Sequence, residues 1–444
     1  MTIDLPILPL YRAVSAGLAP LSPLLAYYRC RRGQEDPARV AERFGHPSLA
    51  RPPGQLAWFH GASVGESLAL LPLLEYFAGR GFNILLSTGT ATAAAVVAPR
   101  LPAGAFHQYL PFDVPKFLGR FLDHWQPDLA LVAESEIWPN LFTEIRRRRI
   151  PLVLVNARIS PRSFQRWRRV PSFIASLLEG VDLCLTQSEA DGERFIELGM
   201  RSVQVVGNLK YDVLAPPADP QALALLAGRI GARPTWVAAS THPGEDAIII
   251  GVHQALAVRF PDLLTIIVPR HPRRGAEIAK FAAERGVPAL QRSRETHATA
   301  MPGIYIADTA GELGLFYRLA SVSFIGKSLV GSGGGQNPIE AARLGCAVLH
   351  GPHVGNFAEV YRVLDDARGG AQIGDGDMLA HVLAVLLTDR GKLRKMSRAA
   401  SEAVERLGGA AAATMAAIEP HIAQIMLNQH ACGDVRSASS QPPA

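Results

Sequence analysis

Cysteine is scarce in this sequence, and the wide spacing of its cysteines argues against zinc-binding and disulfide-rich classes of protein. Only four cysteines occur among 444 residues, and they are far apart: Cys30, Cys184, Cys346 and Cys432. None belongs to a C-x-x-C pair or stands at metal-ligand spacing from a histidine, so the sequence predicts neither a zinc site nor a disulfide framework. Such sparing use of cysteine fits a reducing cytosol.

The chain also lacks the features of disordered and repetitive proteins. Hydrophobic residues make up 48% and charged residues 19%, which is a globular composition. No period of about 20 to 50 residues recurs, which excludes a repeat solenoid. A chain of 444 residues exceeds the size at which a single core stops growing, so we predict two domains.

Basic residues exceed acidic ones, giving a formal net charge of +6. Arginines form one run from Arg146 to Arg149 and a second group between Arg158 and Arg169. Such clusters suit anionic lipid headgroups or phosphorylated substrates. No nucleic-acid-binding motif accompanies them, so nucleic acid is not predicted as a partner. A solvated helix face is the alternative interpretation.

Carboxylates are absent from residues 5–28, where Arg12 is the one internal charge. The segment is long enough to span a bilayer or lie in it. We predict that residues 1–32 form a membrane anchor or membrane-associated segment, with the following arginines on the cytoplasmic side. Prolines interrupt the segment, and a hydrophobic helix docked on the protein body is the alternative. These prolines are Pro6, Pro9, Pro20 and Pro23.

After a polar connector that ends at Gln55, short apolar runs alternate with helix-length segments, which predicts parallel sheets covered by helices on both faces. The predicted strands of a first series are Trp58–His60, Asn83–Ser87, Leu129–Ala133, Leu152–Asn156, Leu183–Thr186 and Val203–Val206. Those of a second series are Trp236–Ala239, Leu264–Val268, Ile304–Ala307, Val322–Ile325 and Ala347–Leu349. A proline-rich stretch from Leu214 to Pro220 separates the two series and has the composition of a linker.

The predicted fold class is therefore α/β, with two tandem doubly wound, Rossmann-like domains that face a cleft at the carboxyl ends of their strands. We assign residues 33–214 to an N-terminal domain and residues 215–429 to a C-terminal domain. The latter includes a helical run from Met378 to Leu427. Residues 430–444 are predicted to form a disordered tail.

Ionisable residues follow the strands of the first series. Glu66 opens a helix after a turn of small residues, where a carboxylate either favours the helix dipole or acts as a general base. Glu134 and Glu136 follow the strand that ends at Ala133, either as salt-bridged structural groups or as site residues. Lys210 adds a cation shortly before the linker.

The second series places an arginine and a glycine-rich segment after its strands. Arg270 can pair with a phosphate, although an ordinary surface arginine is the alternative. Glycine-rich residues 326–336 run into a helix with Asn337 as N-cap and Pro338 at its first position. The helix N-terminus can hold a phosphate, and Glu340 can accept two ribose hydroxyls.

Three familiar motifs nearly match in this series and are rejected. Gly326-Lys327-Ser328 would end a P-loop, but Ser321 stands at its first glycine position. Gln336 occupies the third glycine position of a dinucleotide fingerprint. Asp375-Gly376-Asp377 imitates a metal-binding DxD, yet it precedes a helix and fits a turn and cap. The sequence therefore predicts no metal and no cofactor.

Several motifs, taken together, closely resemble the 3-deoxy-D-manno-octulosonic acid (Kdo) transferases, a family of GT-B glycosyltransferases. The resemblance extends over about residues 8–425. The motifs that carry it are residues 58–66 (WFHGASVGE), 134–140 (ESEIWPN), 156–160 (NARIS), 207–210 (GNLK), 269–272 (PRHP) and 334–340 (GGQNPIE).

This resemblance implies roles for individual residues. It makes Glu66 the catalytic base and assigns Glu136 and Lys210 to stabilisation of the transition state. It places Ser63 and Gly65 on the acceptor side. The implied contacts to the CMP of the donor are Pro269, Arg270, Ala310, Gly311, Glu312, Asn337, Pro338, Ile339 and Glu340.

The resemblance also implies an activity and its surroundings. The expected reaction transfers Kdo from CMP-Kdo to a sugar hydroxyl of a lipid A precursor, lipid IVA, with inversion and without a metal, in lipopolysaccharide core biosynthesis. The expected location is the inner membrane, with the catalytic domains on the cytoplasmic side. The alternatives are another GT-B enzyme that uses a UDP-sugar and a non-catalytic membrane-bound relative.

Overall fold

The computed structural model describes residues 7–212, 215–295, 301–331 and 333–438. These residues form two compact units. The first unit comprises the chain up to Asp212 together with the residues from Gly408 onward, and the second comprises the chain between them, up to Leu407.

The first unit contains a seven-stranded parallel sheet. Its strands are β1 (Leu56–Gly61), β2 (Asn83–Thr88), β3 (Ala105–Tyr109), β4 (Leu129–Ala133), β5 (Leu152–Ala157), β6 (Leu183–Thr186) and β7 (Val203–Val205). They lie in the order β3-β2-β1-β4-β5-β6-β7. Successive side chains of a strand point to opposite faces, so Trp58 and Phe59 of β1 belong to two different cores, one on each face of the sheet.

Helices cover both faces of this sheet. In chain order, the helices that precede the second unit are α1 (Ile7–Leu18), α2 (Ser22–Arg31), α3 (Val64–Gly79), α4 (Ala91–Val97), α5 (Pro115–Trp125), α6 (Pro139–Arg147), α7 (Pro161–Trp167), α8 (Pro171–Leu178) and α9 (Glu189–Glu197).

The segment predicted as a membrane anchor forms α1 and α2, with a 3-10 turn at Ala19–Leu21 between them. Pro20 and Pro23 lie at this break, in the first turns of the 3-10 element and of α2 respectively. Proline has no backbone N–H to donate, so it fits the first turn of a helix and interrupts a longer one. One face of α1 docks on the body: the Tyr11 hydroxyl donates to Asp113 at 2.9 Å, and Arg12 pairs with Glu144 at 2.7 Å. Within the described residues, no helix has both the length and the hydropathy that crossing a bilayer requires. The predicted anchor is not confirmed.

The second unit contains another seven-stranded parallel sheet. Its strands are β8 (Thr235–Thr241), β9 (Leu264–Pro269), β10 (Ala289–Gln291), β11 (Ile304–Ile306), β12 (Val322–Ile325), β13 (Ala347–His350) and β14 (Gly370–Gln372), in the order β10-β11-β9-β8-β12-β13-β14. Its helices are α10 (Pro220–Ile230), α11 (Glu245–Ala257), α12 (Gly275–Glu284), α13 (Leu313–Leu319), α14 (Ile339–Arg343), α15 (Ala358–Asp366), α16 (Gly376–Thr388) and α17 (Arg390–Leu407).

The last helix, α18 (Ala410–Ala438), corrects the predicted domain boundary. It belongs to the first unit, so the second domain ends at Leu407 rather than at residue 429. Gly409, with φ of 93°, separates α18 from α17. Ile418 and Ile422 are buried in the same core as Phe77 of α3. Burial of these apolar side chains stabilises the packing of α18 on the first unit. The helix also continues past residue 430, the predicted start of the tail, while residues 439–444 lie outside the described residues.

Candidate functional site

Each sheet has one point at which the strand order changes direction. In the first sheet the chain runs from β1 to β2 and β3, then resumes on the other side of β1 with β4. In the second sheet the corresponding point lies between β8 and β12, although β11 lies between β9 and β10 in that sheet. Loops diverge at such points, and open α/β sheets bind their ligands there, outside the carboxyl ends of the strands.

Backbone strain is concentrated at the same ends. Four of the seven described non-glycine residues with positive φ lie within two residues of the carboxyl end of a strand. They are Glu134 (54°), Asn156 (51°), Ser240 (56°) and Lys327 (59°). Such conformations cost about 1–3 kcal/mol and persist where the surrounding structure enforces them, often at functional sites.

Glu66 lies after β1 in the first turn of α3, as predicted. Its Oε2 accepts a hydrogen bond from the Ala62 amide at 2.8 Å, and its Oε1 accepts one from the Ser63 hydroxyl at 2.6 Å. Ser63 is also the N-cap of α3, and its oxygen accepts from the Glu66 amide at 3.3 Å. The carboxylate is thus held in one orientation. Each of its oxygens accepts one protein hydrogen bond and can accept another.

Glu136 lies in the loop after β4, the strand next to β1. Its Oε2 accepts a hydrogen bond from the Trp138 indole at 2.8 Å. Burial raises the pKa of Glu136, and the neighbouring charges of Glu66 and Glu134 raise it further, against the effect of the Trp138 hydrogen bond. The structure therefore brings three carboxylates together at the carboxyl ends of β1 and β4.

Lys210 reaches this group from the 3-10 turn after β7, and its ammonium pairs with Glu134. A Cβ placed on Gly65 would lie 3.7 Å from Lys210 Cε, so the lysine passes directly over the start of α3. The two residues assigned to the transition state thus differ in their surroundings. Lys210 has a carboxylate partner in Glu134, whereas Glu136 has Trp138.

In the second unit, the glycine-rich segment runs into α14 as predicted, and Glu340 lies in its first turn. The helix begins at Ile339, one residue later than predicted, so Pro338 rather than Asn337 is its N-cap residue. The Asn337 side chain nevertheless accepts a hydrogen bond from the Ile339 amide at 3.0 Å. Burial raises the pKa of the Glu340 carboxyl, while Asn337 and the charge of Arg270 oppose this shift. Arg270 from the β9 loop therefore lies close enough to Glu340 to affect its charge.

Cations gather at this point of the second unit. Burial lowers the pKa of His242; the nearby Glu245 opposes this, and the charges of Lys327, His271 and Arg270 lower it further. The His242 and His271 rings lie 6.0 Å apart. These residues come from the loops after β8, β9 and β12, and Arg270 and Lys327 make the region positive.

The predicted donor contacts at Ala310, Gly311 and Glu312 lie in the loop between β11 and α13. Gly311 has φ of 83°, a conformation that glycine adopts without strain. The Glu312 carboxylate pairs with Arg292 and accepts a hydrogen bond from Thr309. The Arg292 hydrogen bond is the main reason why the pKa of Glu312 is lowered. The side chain of Glu312 is therefore held by the protein, and the two residues before it offer backbone groups.

Comparison with known proteins identifies the family. The family model for 3-Deoxy-D-manno-octulosonic-acid transferase (kdotransferase) matches residues 38–213. Over 410 residues the chain is 36% identical to the probable 3-deoxy-D-manno-octulosonic acid transferase, mitochondrial, of Arabidopsis thaliana, with 90% of this chain and 92% of that protein covered. The chain belongs to the Kdo transferase family. The 3-deoxy-D-manno-octulosonic acid transferase of Bordetella pertussis is 34% identical over 425 residues, which cover 92% of this chain and 98% of that protein.

Solved structures share the fold of this chain. The glycosyltransferase from Rickettsia africae ESF-5 matches with a TM-score of 0.54 at 11% identity, covering 84% of this chain and 99% of that one. The UDP-GlcNAc 2-epimerase from Neisseria meningitidis bound to UDP-GlcNAc matches with a TM-score of 0.54 at 12% identity, covering 84% and 100%. The predicted GT-B type of α/β fold and the predicted enzyme class, a glycosyltransferase that transfers Kdo, are both confirmed. The roles of individual site residues remain predictions.

Two further carboxylates contribute to these regions. The sequence leaves Glu134 open between a salt-bridged structural group and a site residue, and the structure makes it the partner of Lys210. The motifs give no indication of Glu245, although it lies in the first turn of α11 after β8, as Glu66 lies in the first turn of α3 after β1. Glu245 Oε2 accepts from the amides of His242 and Lys327, and Oε1 accepts from those of Ser328 and Leu329, all at 2.8–3.0 Å. The shared position after the first strand of each sheet is the signal that could have revealed it.

Proposed function

We propose that this chain transfers Kdo from CMP-Kdo to a sugar hydroxyl of a lipid A precursor such as lipid IVA, with inversion, in lipopolysaccharide biosynthesis. The observation that carries the proposal is the placement of Glu66, with open hydrogen-bonding capacity, beside Glu136 at the change of strand order in the first sheet. Membership of the Kdo transferase family supports the choice of sugar.

The proposed base is Glu66. The acceptor hydroxyl attacks the anomeric carbon of Kdo, a new carbon–oxygen bond forms, and the bond from that carbon to the phosphate of CMP breaks. Glu66 receives the hydroxyl proton, and CMP departs with the electron pair of the broken bond. Attack from the face opposite CMP inverts the configuration. The Ala62 amide and the Ser63 hydroxyl keep the carboxylate in place, so no reorientation is needed during proton transfer.

Lys210 and Glu136 are proposed to stabilise the transition state. Positive charge develops on the Kdo ring as the bond to phosphate breaks, and the carboxylate of Glu136 is suited to face it. Lys210 balances the negative charge of the three neighbouring glutamates through its pairing with Glu134. Ser63 acts in this scheme mainly through Glu66, while Gly65 leaves room for Lys210 and the acceptor.

The second unit is proposed to hold the CMP moiety. Arg270 supplies a cation for the phosphate, and Lys327 adds a second positive charge nearby. Glu340 is proposed to accept the ribose hydroxyls, with Asn337, Pro338 and Ile339 shaping the contact. Backbone groups of Pro269, Ala310 and Gly311 complete the proposed contacts, and Glu312 stabilises its loop through Arg292. These protein cations are proposed to serve in place of a metal.

The N-terminal helices are proposed to hold the enzyme on the cytoplasmic face of the inner membrane. Leu10, Val14 and Leu18 lie four residues apart on α1, and all three are at least half exposed. The exposed apolar surface continues through Leu21, Leu24 and Leu25, and we call these six residues the apolar stripe. Arg31 and Arg32 follow it. An apolar stripe flanked by arginines suits a helix lying in an anionic membrane interface.

The test is an assay of purified full-length protein with CMP-Kdo, with and without lipid IVA in mixed micelles. Release of CMP that requires the lipid, together with a lipid product heavier by one or more Kdo units, is the expected result. A matched reaction with UDP-N-acetylglucosamine tests the alternative donor, and none of it should be consumed. Binding of CMP-Kdo without transfer would contradict the proposed activity and favour a non-catalytic relative.

A further inference from the structure

The loop between β4 and α6 carries Glu136, and it ends where α6 begins. This loop comprises residues 134–138, and we call it the Glu136 loop. Trp138, its last residue, donates its indole hydrogen to Glu136 at 2.8 Å and is followed directly by Pro139, the first residue of α6. The position of the α6 N-terminus therefore sets the position of Trp138 and, through it, that of the Glu136 carboxylate.

Ile137 holds the Glu136 loop on the protein body without setting its orientation. Its side chain is 8% exposed and belongs to the same core as Leu141 of α6. Because apolar burial is not directional, hydrogen bonds must decide how Glu136 and Trp138, the two neighbours of Ile137, are oriented. Such bonds are found at the start of α6.

Asp113, in the loop between β3 and α5, caps α6 from outside the helix. Trp138, the N-cap residue of α6, supplies no side-chain cap bond within the described part of the chain. Asp113 takes this place: its Oδ2 accepts from the Asn140 amide at 3.1 Å, and its Oδ1 accepts from the Leu141 amide at 2.9 Å. The first amides of a helix have no partner within the helix, and a carboxylate there also interacts favourably with the helix dipole. Asp113 thus fixes the start of α6.

The N-terminal helix α1 holds Asp113 in turn. The Tyr11 hydroxyl donates to Asp113 Oδ2 at 2.9 Å. The fully buried Asn140 side chain donates to the Ser15 hydroxyl oxygen at 2.9 Å and to the Asp113 backbone oxygen at 2.6 Å. Tyr11 and Ser15 are four residues apart, so they lie on the same face of α1. We call Tyr11, Ser15, Asp113 and Asn140 the α1 clamp.

The α1 clamp and the apolar stripe use different side chains of the same helix. The α1 members of the apolar stripe are at least half exposed, whereas Tyr11 and Ser15 are partly buried against the protein body. Burial, together with the charge of Asp113, raises the pKa of the Tyr11 hydroxyl, which therefore stays protonated and remains a donor. A change in the clamp can thus leave the apolar stripe intact.

We propose that the α1 clamp places Glu136 for sugar transfer, with Asp113 as the positioning residue. The inference rests on the proposed function and gives α1 a second role besides membrane contact. Without the clamp, the start of α6 and the Trp138 indole shift, and Glu136 moves relative to Glu66. A displacement of about 1 Å in a site can lower a rate by about 10²-fold.

The test compares kcat of Asp113→Ala, Asp113→Asn and Tyr11→Phe with CMP-Kdo and lipid IVA in mixed micelles. We expect a fall of about 10- to 100-fold in Asp113→Ala and about 3- to 10-fold in Tyr11→Phe, which loses one hydrogen bond. Asp113→Asn keeps one oxygen for an amide of α6 and should recover part of the loss. The KM for CMP-Kdo should stay unchanged in all three.

Two controls separate positioning from other effects. Asp123→Ala removes a contact at the opposite end of α6, where Asp123 pairs with Arg148 at 2.7 Å, and it should keep the wild-type kcat. Tyr11→Phe retains the apolar stripe and should bind vesicles of phosphatidylglycerol and phosphatidylethanolamine as wild type does. A loss of kcat in Tyr11→Phe that only follows a loss of vesicle binding would overturn the proposal.

A double-mutant cycle shows whether Asp113 acts through Glu136. Partial unfolding would lower kcat by the same factor in every background, whereas a positioning residue loses its effect once the positioned group is removed. Asp113→Ala should therefore cost less than about twofold in a Glu136→Gln background. An equal loss in both backgrounds, or a wild-type kcat in Asp113→Ala, would overturn the proposal. If Asp113→Ala fails to fold, Tyr11→Phe replaces it in the cycle.

The proposed function can fail separately. If wild-type protein transfers no Kdo, hydrogen exchange of the Glu136 loop and of the Asn140 and Leu141 amides is compared between wild type and Tyr11→Phe. Faster exchange in the variant would keep the clamp while removing the transferase activity. Unchanged exchange would remove both.

Discussion

Two glutamates occupy equivalent positions in the two units and have different surroundings. Glu66 and Glu245 each lie in the first turn of the helix that follows the first strand of a parallel sheet, next to the change in strand order. Glu245 is completely buried and accepts four backbone hydrogen bonds, while Glu66 is 9% exposed and accepts two. A carboxylate has about four lone-pair sites, so Glu245 is saturated and Glu66 is not.

This difference shows how the same position in a sheet can serve either proton transfer or support of the backbone. A saturated carboxylate has no site for a substrate proton, and Glu245 instead holds the backbone from Lys327 to Leu329 in place. Lys327 in turn accepts a hydrogen bond from the Gly335 amide, and the preceding Gly326 accepts one from the Gln336 amide. Both donors precede α14 and the proposed nucleotide contacts. Glu66, with two open sites, is suited to accept a proton. Hydrogen-bond saturation, rather than position in the fold, separates the two roles.

The largest effect is expected from Glu66→Gln. The amide retains an oxygen for the Ala62 bond but has no basic site, so the transfer rate should fall about 10²- to 10⁴-fold. Initial rates of Kdo transfer measure this. Glu75→Gln, at an exposed position of the same helix, is the matched control and should keep the wild-type rate. A Glu66→Gln rate within about threefold of wild type would break the comparison with Glu245.

Glu245→Gln should destabilise the second unit. One side of the amide presents hydrogens to backbone amides that need an acceptor, and each buried donor left unpaired costs about 1–3 kcal/mol. Hydrogen exchange at Lys327, Ser328 and Leu329 should accelerate, whereas Glu66→Gln should leave these amides protected. Glu284→Gln, on an exposed part of α12, controls for the loss of charge alone. Unchanged exchange in Glu245→Gln would show that the four hydrogen bonds contribute little.

The pair formed by Lys210 and Glu134 tests whether a cation of the first unit serves catalysis or only stability. Lys210→Met removes a cation and leaves Glu134 without its partner, so both stability and the transfer rate should fall, the rate about 10²-fold. Adding Glu134→Gln should restore the unfolding midpoint but not the rate. Rates and thermal unfolding of the two single variants and the double variant measure this. Full recovery of the rate in the double variant would mean that Lys210 is only a structural partner.

The two units should also differ in membrane affinity. Leu10→Ser combined with Leu24→Ser removes two members of the apolar stripe, and binding to vesicles of phosphatidylglycerol and phosphatidylethanolamine should fall about 10-fold or more. Leu225→Ser combined with Val258→Ser removes equally exposed apolar residues of the second unit and should have little effect. Co-sedimentation measures both. Equal binding by the two double variants would contradict membrane docking through the apolar stripe.

The smallest expected effect is a change in stability, in the variant Glu136→Gln. The pKa of Glu136 is raised in the folded protein, so its ionisation opposes folding once the pH exceeds the ordinary value of 4.5. The glutamine variant keeps an oxygen for Trp138 and should have a higher unfolding midpoint than wild type at pH 7. This gain should disappear below about pH 4.5, where the unfolded and folded carboxyls are both protonated. A midpoint below that of wild type at pH 7 would argue against the crowding of carboxylates.

Much of the fold could be predicted from the sequence, because buried parallel strands are uninterrupted apolar runs. β4, β6 and β12 have the predicted bounds. The missed strands β3, β10 and β14 lie at sheet edges, and two of them are three residues long with a polar residue. Pairing with a neighbour creates such strands, and their own sequence does not indicate it. For the same reason the return of α18 to the first unit, which depends on burial of Ile418 against α3, was not predicted.

The residues of the candidate site could be predicted from the sequence, but the side chains that they contact could not. Motif and position identify Glu66, Glu136 and Lys210, whereas the pairing of Lys210 with Glu134 depends on how the loops after β4 and β7 meet. The polar connector before β1 shows the same limit. It contributes Glu35 and Arg43, which form a buried ion pair. Sequence patterns indicate which residues are polar, and packing decides which of them touch.

The most direct test of the division between the units is the affinity for CMP of Glu66→Gln and Glu245→Gln, measured side by side by titration calorimetry. The account predicts that Glu66→Gln binds CMP within about twofold of wild type, and that Glu245→Gln binds at least about 10-fold more weakly because the segment before α14 loses its support. Loss of CMP binding in Glu66→Gln, or wild-type binding in Glu245→Gln, would contradict it.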